Sequence, residues 1–473
     1  STIEKGVIWT GSDCGLVNVT LDAGKTWTNV TPADLPESQI NSIELSSFDK
    51  GVAYISATRY KLNDYGAYAY KTTDYGKTWT KINKGVKADD FIKVIREDTK
   101  NKSILYAGSE RGFYLSTDAG NSWQSFQLNL PIVPVTDLMI RDNDLVAATA
   151  GRAFWILDDL GAIQQATTAS AVTLFSPKPA YKFGGGTGLP EAKYKAGQNA
   201  PEGVILDYIL PEGTDSTLVT LKITDASGKL IRTYSNKKDA SYAKYPGGPA
   251  AATLLSAKKG HNRFLWNLRN ENVQPDVKNV FVYGSYDGYA VPPGKYKAQL
   301  NFNGTISETE MTVLANPAIS ATAADWNEQQ QILASITASI SEMHQQVNEL
   351  RKIRKQLIHH SDILKGVKPA EKVLDEAKKL IAGIDAWESN IVEGRIQNGQ
   401  DVINWPSKLN VEFFNIKRLA DAADPRITQG IKTRLADLQS QWNAEKVKVE
   451  AIKKSVAAYN TLYKSQQLEA LIF

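Results

Sequence analysis

The chain of 473 residues predicts a mixed multidomain protein: a partial β-propeller, then an Ig-like β-sandwich, then a C-terminal antiparallel α-helical bundle. Three observations carry that reading. A short turn sequence recurs three times in the first third, period-two strand patterns fill the middle, and apolar residues at three-to-four spacing run through the last third. The composition changes place the propeller blades at 1–165, a Pro/Gly/Ala/Lys-rich linker or loop region at 166–202, the sandwich at 203–316 and the bundle at 317–473.

The repeat reads Thr20-Leu21-Asp22-Ala23-Gly24-Lys25-Thr26-Trp27, Thr72-Thr73-Asp74-Tyr75-Gly76-Lys77-Thr78-Trp79 and Ser116-Thr117-Asp118-Ala119-Gly120-Asn121-Ser122-Trp123. The aspartates are 52 and 44 residues apart, a period that suits a four-stranded blade. This is the pattern of the Asp-box, or BNR repeat. Its chemistry is structural: Asp22, Asp74 and Asp118 accept hydrogen bonds from the turn, Gly24, Gly76 and Gly120 take a positive φ, and Trp27, Trp79 and Trp123 pack on a neighbouring unit. Alternating strands precede the second and third copies at 40–45, 52–56, 91–95 and 104–107, and a fourth unit without the box covers 135–159. Three blades and a fraction do not close a ring. The expectation is therefore that the first blade is completed from outside the chain, by an N-terminal propeller half of the same parent or a separate fragment.

Further segments resemble a known family. Residues 56–65 (Ser-Ala-Thr-Arg-Tyr-Lys-Leu-Asn-Asp-Tyr), Ile95-Arg96-Glu97-Asp98, residues 105–110, Asn129-Leu130-Pro131 and the run from Ala148 to Asp159 are similar to the sortilin/VPS10-like "glycosyl hydrolase, BNR repeat" proteins common in Bacteroidota. One departure is visible: Ala150 stands where that family usually has His. The resemblance implies a longer, secreted parent, of which this chain is the C-terminal half, and an extracellular, periplasmic or outer-surface location. The hydrolase label follows the repeat and says little about chemistry.

In the middle, Gly184 and its neighbours lack the Gly-Lys-Ser/Thr of a phosphate loop and read as a surface loop. Strands are expected at 204–209, 217–224, 231–235, 262–267, 294–301 and 305–313. Phe264, Trp266 and Leu268 alternate toward a core, which leaves Arg263 and Arg269 on the solvated face. At the C-terminus Thr322 to Asp325 forms a capping box ahead of Ile332, Ile336, Ile340, Met343 and Val347. Pro369 suits the start of a second helix, a third begins after Pro406, and Asp424-Pro425 opens a fourth. His359 and His360 are adjacent and point about 100° apart on a helix, an arrangement unsuited to chelation.

Function is bounded by what these patterns exclude. Lys+Arg 55 against Asp+Glu 51 gives +4, too balanced for a nucleic-acid partner, and no apolar run has membrane-span length. The single Cys14 excludes an internal disulfide framework. No Gly-x-Ser-x-Gly elbow, His-Glu-x-x-His pair or motif-bound acid pair occurs, so no catalytic residue, metal or cofactor is assigned. The expected function is a non-catalytic secreted or cell-surface binding protein, its propeller holding a peptide, protein or glycan, with the other modules docking it to a larger assembly. The alternative is a glycoside hydrolase whose carboxylates lie mainly in absent N-terminal blades. Ligand contacts are expected at strand ends, on Arg59, Asp64, Glu110, Arg111 and Arg152. A purely structural role would instead have Asp64 and Arg152 pair with neighbouring blades.

Overall fold

A computed structural model describes residues 1–166, 171–183, 201–213 and 216–468. Its contacts divide the chain into two units, Ser1–Ser170 and Ala171–Phe473. Residues 184–188, with their expected surface loop, lie outside the described residues.

The first unit is a succession of four antiparallel meander sheets, the arrangement of propeller blades. Sheet one joins β1 (Ile8–Gly11), β2 (Val17–Thr20) and β3 (Thr28–Asn29). Sheet two joins β4 (Gln39–Leu45), β5 (Ala53–Arg59), β6 (Asp64–Thr72) and β7 (Thr80–Lys81). Sheet three joins β8 (Ile92–Glu97), β9 (Leu105–Ser109), β10 (Phe113–Ser116) and β11 (Gln124–Ser125). Sheet four joins β12 (Val135–Arg141), β13 (Asp144–Thr149) and β14 (Phe154–Leu157), followed by the short helix α1 (Gly161–Ala166).

The repeated turn closes the last hairpin of sheets one to three. Asp22 accepts the Thr20 hydroxyl at 2.8 Å, the Thr26 amide at 2.9 Å and the Thr26 hydroxyl at 2.7 Å. Asp74 and Asp118 repeat the set. Gly24, Gly76 and Gly120 sit at φ 91°, 83° and 91°, a region open to glycine at little cost. The Thr26 amide and hydroxyl hold the Asp22 carboxyl down to about 2, and the Thr78 hydroxyl and amide do the same for Asp74. These aspartates are fully engaged in their own turns.

Sheets join through the tryptophans and three apolar layers. The indole N–H of Trp79 donates to the Val30 carbonyl of sheet one, and that of Trp123 to the Ile82 carbonyl of sheet two, each at 2.7 Å. Val17, Val19, Ile55 and Tyr70 fill the first interface; Ile82, Ile92, Leu105 and Trp123 the second; Tyr106, Phe113, Val135 and Leu138 the third. Trp27 breaks the expected pattern: it is 45% exposed and packs on no preceding unit. At the inner edge Arg96 of β8 reaches Glu44 of β4 at 3.6 Å and Asp137 of β12 at 2.7 Å, linking three sheets.

The second unit opens with a two-sheet sandwich. Its sheets run β15 (Thr173–Leu174), β17 (Val204–Leu210), β20 (Gly260–Trp266), and β16 (Ala180–Lys182), β22 (Thr305–Ala315), β21 (Gly294–Phe302), β18 (Val219–Asp225), β19 (Leu230–Ser235). Leu206, Tyr208 and Trp266 of one sheet share a core with Leu221, Ile223 and Leu300 of the other. Two corrections follow. Residues 173–182, expected in the linker region, supply two edge strands, and Leu174 of β15 is buried against the sandwich core. Arg263 and Arg269 are not simply solvated: Arg263 grips Asp207 at 2.8 and 3.0 Å, and Arg269 pairs with Asp421 at 2.7 Å.

The helices are α2 (Ala323–Ile363), α3 (Glu371–Ile391), α4 (Leu409–Ala420) and α5 (Gln429–Ser465). The Thr322–Asp325 capping box is present. The fourth helix starts later than Pro425, because Thr428 caps it by accepting the Ile431 amide. The expected all-antiparallel bundle is also corrected. Ion pairs Glu328–Lys432 and Glu349–Lys453 rise together, so α2 and α5 run parallel. Arg351–Glu388 and the Gln329–Ala420 hydrogen bond set α3 and α4 antiparallel to α2, one after the other. The helical core takes in Val273, Val277, Val280 and Tyr286 from the β20–β21 connection, so sandwich and helices share one unit.

The partly buried Glu44 and the buried His344 each add a pH-dependent contribution to stability. Burial pushes Glu44 up to about 7, against the opposing pull of Arg96. The folded chain therefore holds a proton that the unfolded chain, titrating near 4.5, releases earlier. Stability falls by about 2–3 kcal/mol as pH rises from about 5 to 8, and Glu44→Gln flattens that slope in denaturant titrations. Burial pushes His344 down to about 4, with its Nδ1 3.0 Å from the Pro275 carbonyl and its ring against Tyr286 and Phe414. Its share of stability is complete above about pH 6.5 and is lost on acidification toward 4. Unfolding of the second unit at about pH 4.5 is thus easier by about 2–3 kcal/mol than at pH 7, and His344→Gln removes most of the difference.

Candidate functional site: a loop-face cleft

Short connections at one end of sheets two, three and four converge on a cleft of about 390 Å³. Its walls come from the β5–β6 loop (Tyr60, Tyr65), the β9–β10 loop (Glu110, Arg111) and the segments entering β8 (Asp89, Phe91) and β12 (Ile132, Val133, Pro134).

The β5–β6 loop is held from within. Residues Tyr60–Leu62 form a single 3-10 turn that ends on Asn63 at φ 61°. Asp64 accepts the Gly66 amide at 3.0 Å and the Tyr68 hydroxyl at 2.8 Å, and pairs with Arg59 at 3.0 Å. The Gly66 amide, then the Tyr68 hydroxyl, lower the Asp64 pKa, with Arg59 adding to them. The closed loop aims Tyr60 and Tyr65 outward, 41% and 48% exposed. Tyr60 stacks on the buried Phe91 with centroids 5.3 Å apart and planes 11° apart, and Tyr65 leans on the same ring at 6.4 Å.

The β9–β10 loop is held by Asp90, which is 1% exposed. Asp90 accepts the Ser109 hydroxyl at 3.0 Å, the Arg111 amide at 3.0 Å and the Tyr114 hydroxyl at 2.9 Å. Arg111 is thereby placed to pair with Asp89 at 2.6 Å, and Glu110 pairs with Lys93 at 2.6 Å. The Ala150 amide donates to the Pro134 carbonyl, so that position supports the cleft wall through backbone alone.

Of the five residues expected from sequence, Glu110 and Arg111 line the cleft, and Arg59 and Asp64 shape the loop beside it. Arg152 does neither: it is exposed, lies off the cleft, and its side chain forms no ion pair among the described residues. The alternative structural reading, in which Asp64 and Arg152 pair with neighbouring blades, does not hold either, since Asp64 bonds inside its own sheet and the Arg152 side chain forms no ion pair among the described residues. Sequence reasoning did not select Tyr65, Asp89, Asp90 or Phe91 for the site. Their only signal is position, within a few residues of strands that the repeat already locates. Among the described residues no cluster of three His, Cys, Asp or Glu is placed to hold a metal.

The arrangement is an aromatic floor with a mixed-charge rim. Three of the acids at or beside the cleft have a cation against them, Asp64 with Arg59, Asp89 with Arg111 and Glu110 with Lys93, while Asp90 is held by hydroxyl and amide donors. Arg152→Ala is expected to leave unfolding free energy within about 0.5 kcal/mol of wild type, as exposed unpaired groups do. Asp90→Ala costs about 2–4 kcal/mol because three donors lose a buried acceptor. Denaturant titration separates the two.

The Sortilin-Vps10 family profile (sortilin, neurotensin receptor 3) matches residues 67–149, the stretch holding most of the cleft. The chain is also similar to the vacuolar protein sorting/targeting protein 10 of Colletotrichum graminicola, 37% identical over 71 residues, which is 15% of this chain and 4% of that protein. Among solved structures it is similar to YCF48 bound to D1 peptide, at 21% identity and TM-score 0.27 over 33% of this chain and 49% of the other. The GH74 xyloglucanase of Xanthomonas campestris is similar at 14% identity and TM-score 0.28, over 64% of this chain and 53% of the other. No described helix is long and apolar enough to cross a membrane. The Sortilin-Vps10 match runs from within β6 to the end of β13, so it takes in the β9–β10 loop and the segments entering β8 and β12 but not the β5–β6 loop with Tyr60 and Tyr65.

Proposed function

We propose that the first unit is a binding module that seats an extended segment of a partner polypeptide in the loop-face cleft. The observation that carries this reading is the Tyr60–Phe91 stack with Tyr65 beside it, an aromatic floor held by contacts within the protein itself. Two exposed tyrosines supply contact area at low entropy cost. Ile132, Val133 and Pro134 give an apolar wall, and ion pairs of both signs at the rim suit the mixed polarity of a peptide. The alternative of glycoside hydrolysis has less support here. A general acid needs a raised pKa, whereas that of Asp64 is lowered. Hydrolysis also needs two carboxyls facing one another across the bond, and here Asp89 and Glu110 are each committed to an ion pair, with Arg111 and Lys93 respectively.

In this reading the second unit, its sandwich of Ig-like type, is a docking module for a larger assembly. The protein works outside the cytoplasm, secreted or on the cell surface, as the repeat-bearing family resemblance implies.

Peptide display on the purified chain, followed by calorimetric titration of the selected peptides, tests the proposal. Tyr60→Ala and Tyr65→Ala are each expected to weaken binding by about tenfold or more, the range of an aromatic anchor. Arg152→Ala serves as the unaffected control. Hydrolysis of a polysaccharide panel that is abolished by Glu110→Gln would replace this reading with the hydrolase.

A further inference from the structure

The three copies of the repeated turn match in sequence and hydrogen bonding, yet only two of them are covered. Where a sheet precedes the turn, the turn glycine packs against it. A Cβ on Gly76 would come within 2.7 Å of Val30, and one on Gly120 within 3.1 Å of Ile82. The carbonyls of those same residues receive the Trp79 and Trp123 indoles. Each acceptor lies three residues beyond the turn tryptophan of its own sheet. Gly24, by contrast, has only its own Trp27 indole near it. Trp27 is 45% exposed and its indole has no hydrogen-bond partner among the described residues.

The adjoining strand repeats the contrast. The residue paired across the ladder with the Ser or Thr that opens the turn is Ala53 in sheet two and Leu105 in sheet three, both 0% exposed. In sheet one it is Ile8, which is 45% exposed.

We propose that this face of sheet one, centred on Gly24 and Trp27, docks a further antiparallel sheet of the same repeat, carried by a polypeptide segment outside Ser1–Phe473. A β-branched residue three positions beyond that sheet's turn tryptophan covers Gly24 and gives its carbonyl to the Trp27 indole. The inference continues an interface already formed twice in the chain and is independent of the cleft. A second copy of this chain does not fit the role, because its open sheet four has three described strands and lacks the turn hairpin that would offer the carbonyl.

The test uses the chain as it stands and a chimera with residues 39–103, which include Trp79 and Ile82, duplicated ahead of Val7. In the chain itself, hydroxyl-radical oxidation is expected to strike Trp27 several-fold faster than Trp123. Trp123→Phe lowers the thermal midpoint by about 2–4 °C, while Trp27→Phe shifts it by less than about 1 °C. In the chimera Trp27 becomes as protected as Trp123, and Trp27→Phe acquires the same 2–4 °C cost (about). Protection of Trp27 in the monomeric chain overturns the proposal, as does a folded chimera in which Trp27 stays fast, or one whose added residues remain protease-sensitive. Self-association that Trp27→Ala abolishes would make a second copy the occupant and overturn it equally.

Discussion

The first unit depends on one contact made twice: an indole N–H at the end of a turn, donating to a carbonyl of the sheet before it. A buried hydrogen bond of this sort contributes about 1 kcal/mol net, less than the apolar layers around it. Its importance is directional. The apolar layers attract any complementary face, whereas the indole bond fixes how far one sheet lies along the next. The aspartate holds the turn, the turn aims the tryptophan, and the tryptophan sets the sheet. Loops at the opposite ends of sheets two and three inherit that spacing, and they meet at the cleft with the segment entering β12, which apolar packing and the Arg96–Asp137 pair place.

Much of this was legible because a repeat writes the same physics three times. The Asp, Gly and Trp positions of each copy are dictated by local geometry, so the first unit's hairpins could be read directly. The cleft was only half legible. Glu110 and Arg111 were visible as charged residues in a glycine-bounded turn. Phe91, Asp89 and Asp90 belong to connections between sheets, and their approach to Tyr60 depends on how one sheet packs on the next. Arg152 misled because its charge at a strand end resembles that of Arg111, yet among the described residues no acidic side chain pairs with it as Asp89 does with Arg111.

In the second unit, strand alternation located the central strands of the sandwich, but the brief edge strands β15 and β16 carry too few residues to show a period. The helices were legible from spacing and from the Thr322 cap. Their directions were not, since a connection of moderate length between α3 and α4 allows either a reversal or a continuation. The continuation is stabilised by α4 burying Phe413 and Phe414 beside α2 and the β20–β21 connection. Asp421 then ties the end of α4 to Arg269 and to the Ala290 amide.

Hydrogen–deuterium exchange of the whole chain, with and without a peptide obtained by display, tests the central claim that the four converging segments form one binding surface. The account predicts added protection at residues 59–66, 89–93, 109–112 and 131–135 together, with the repeated-turn hairpins unchanged. Protection confined to the turn hairpins, or to the second unit, would contradict it.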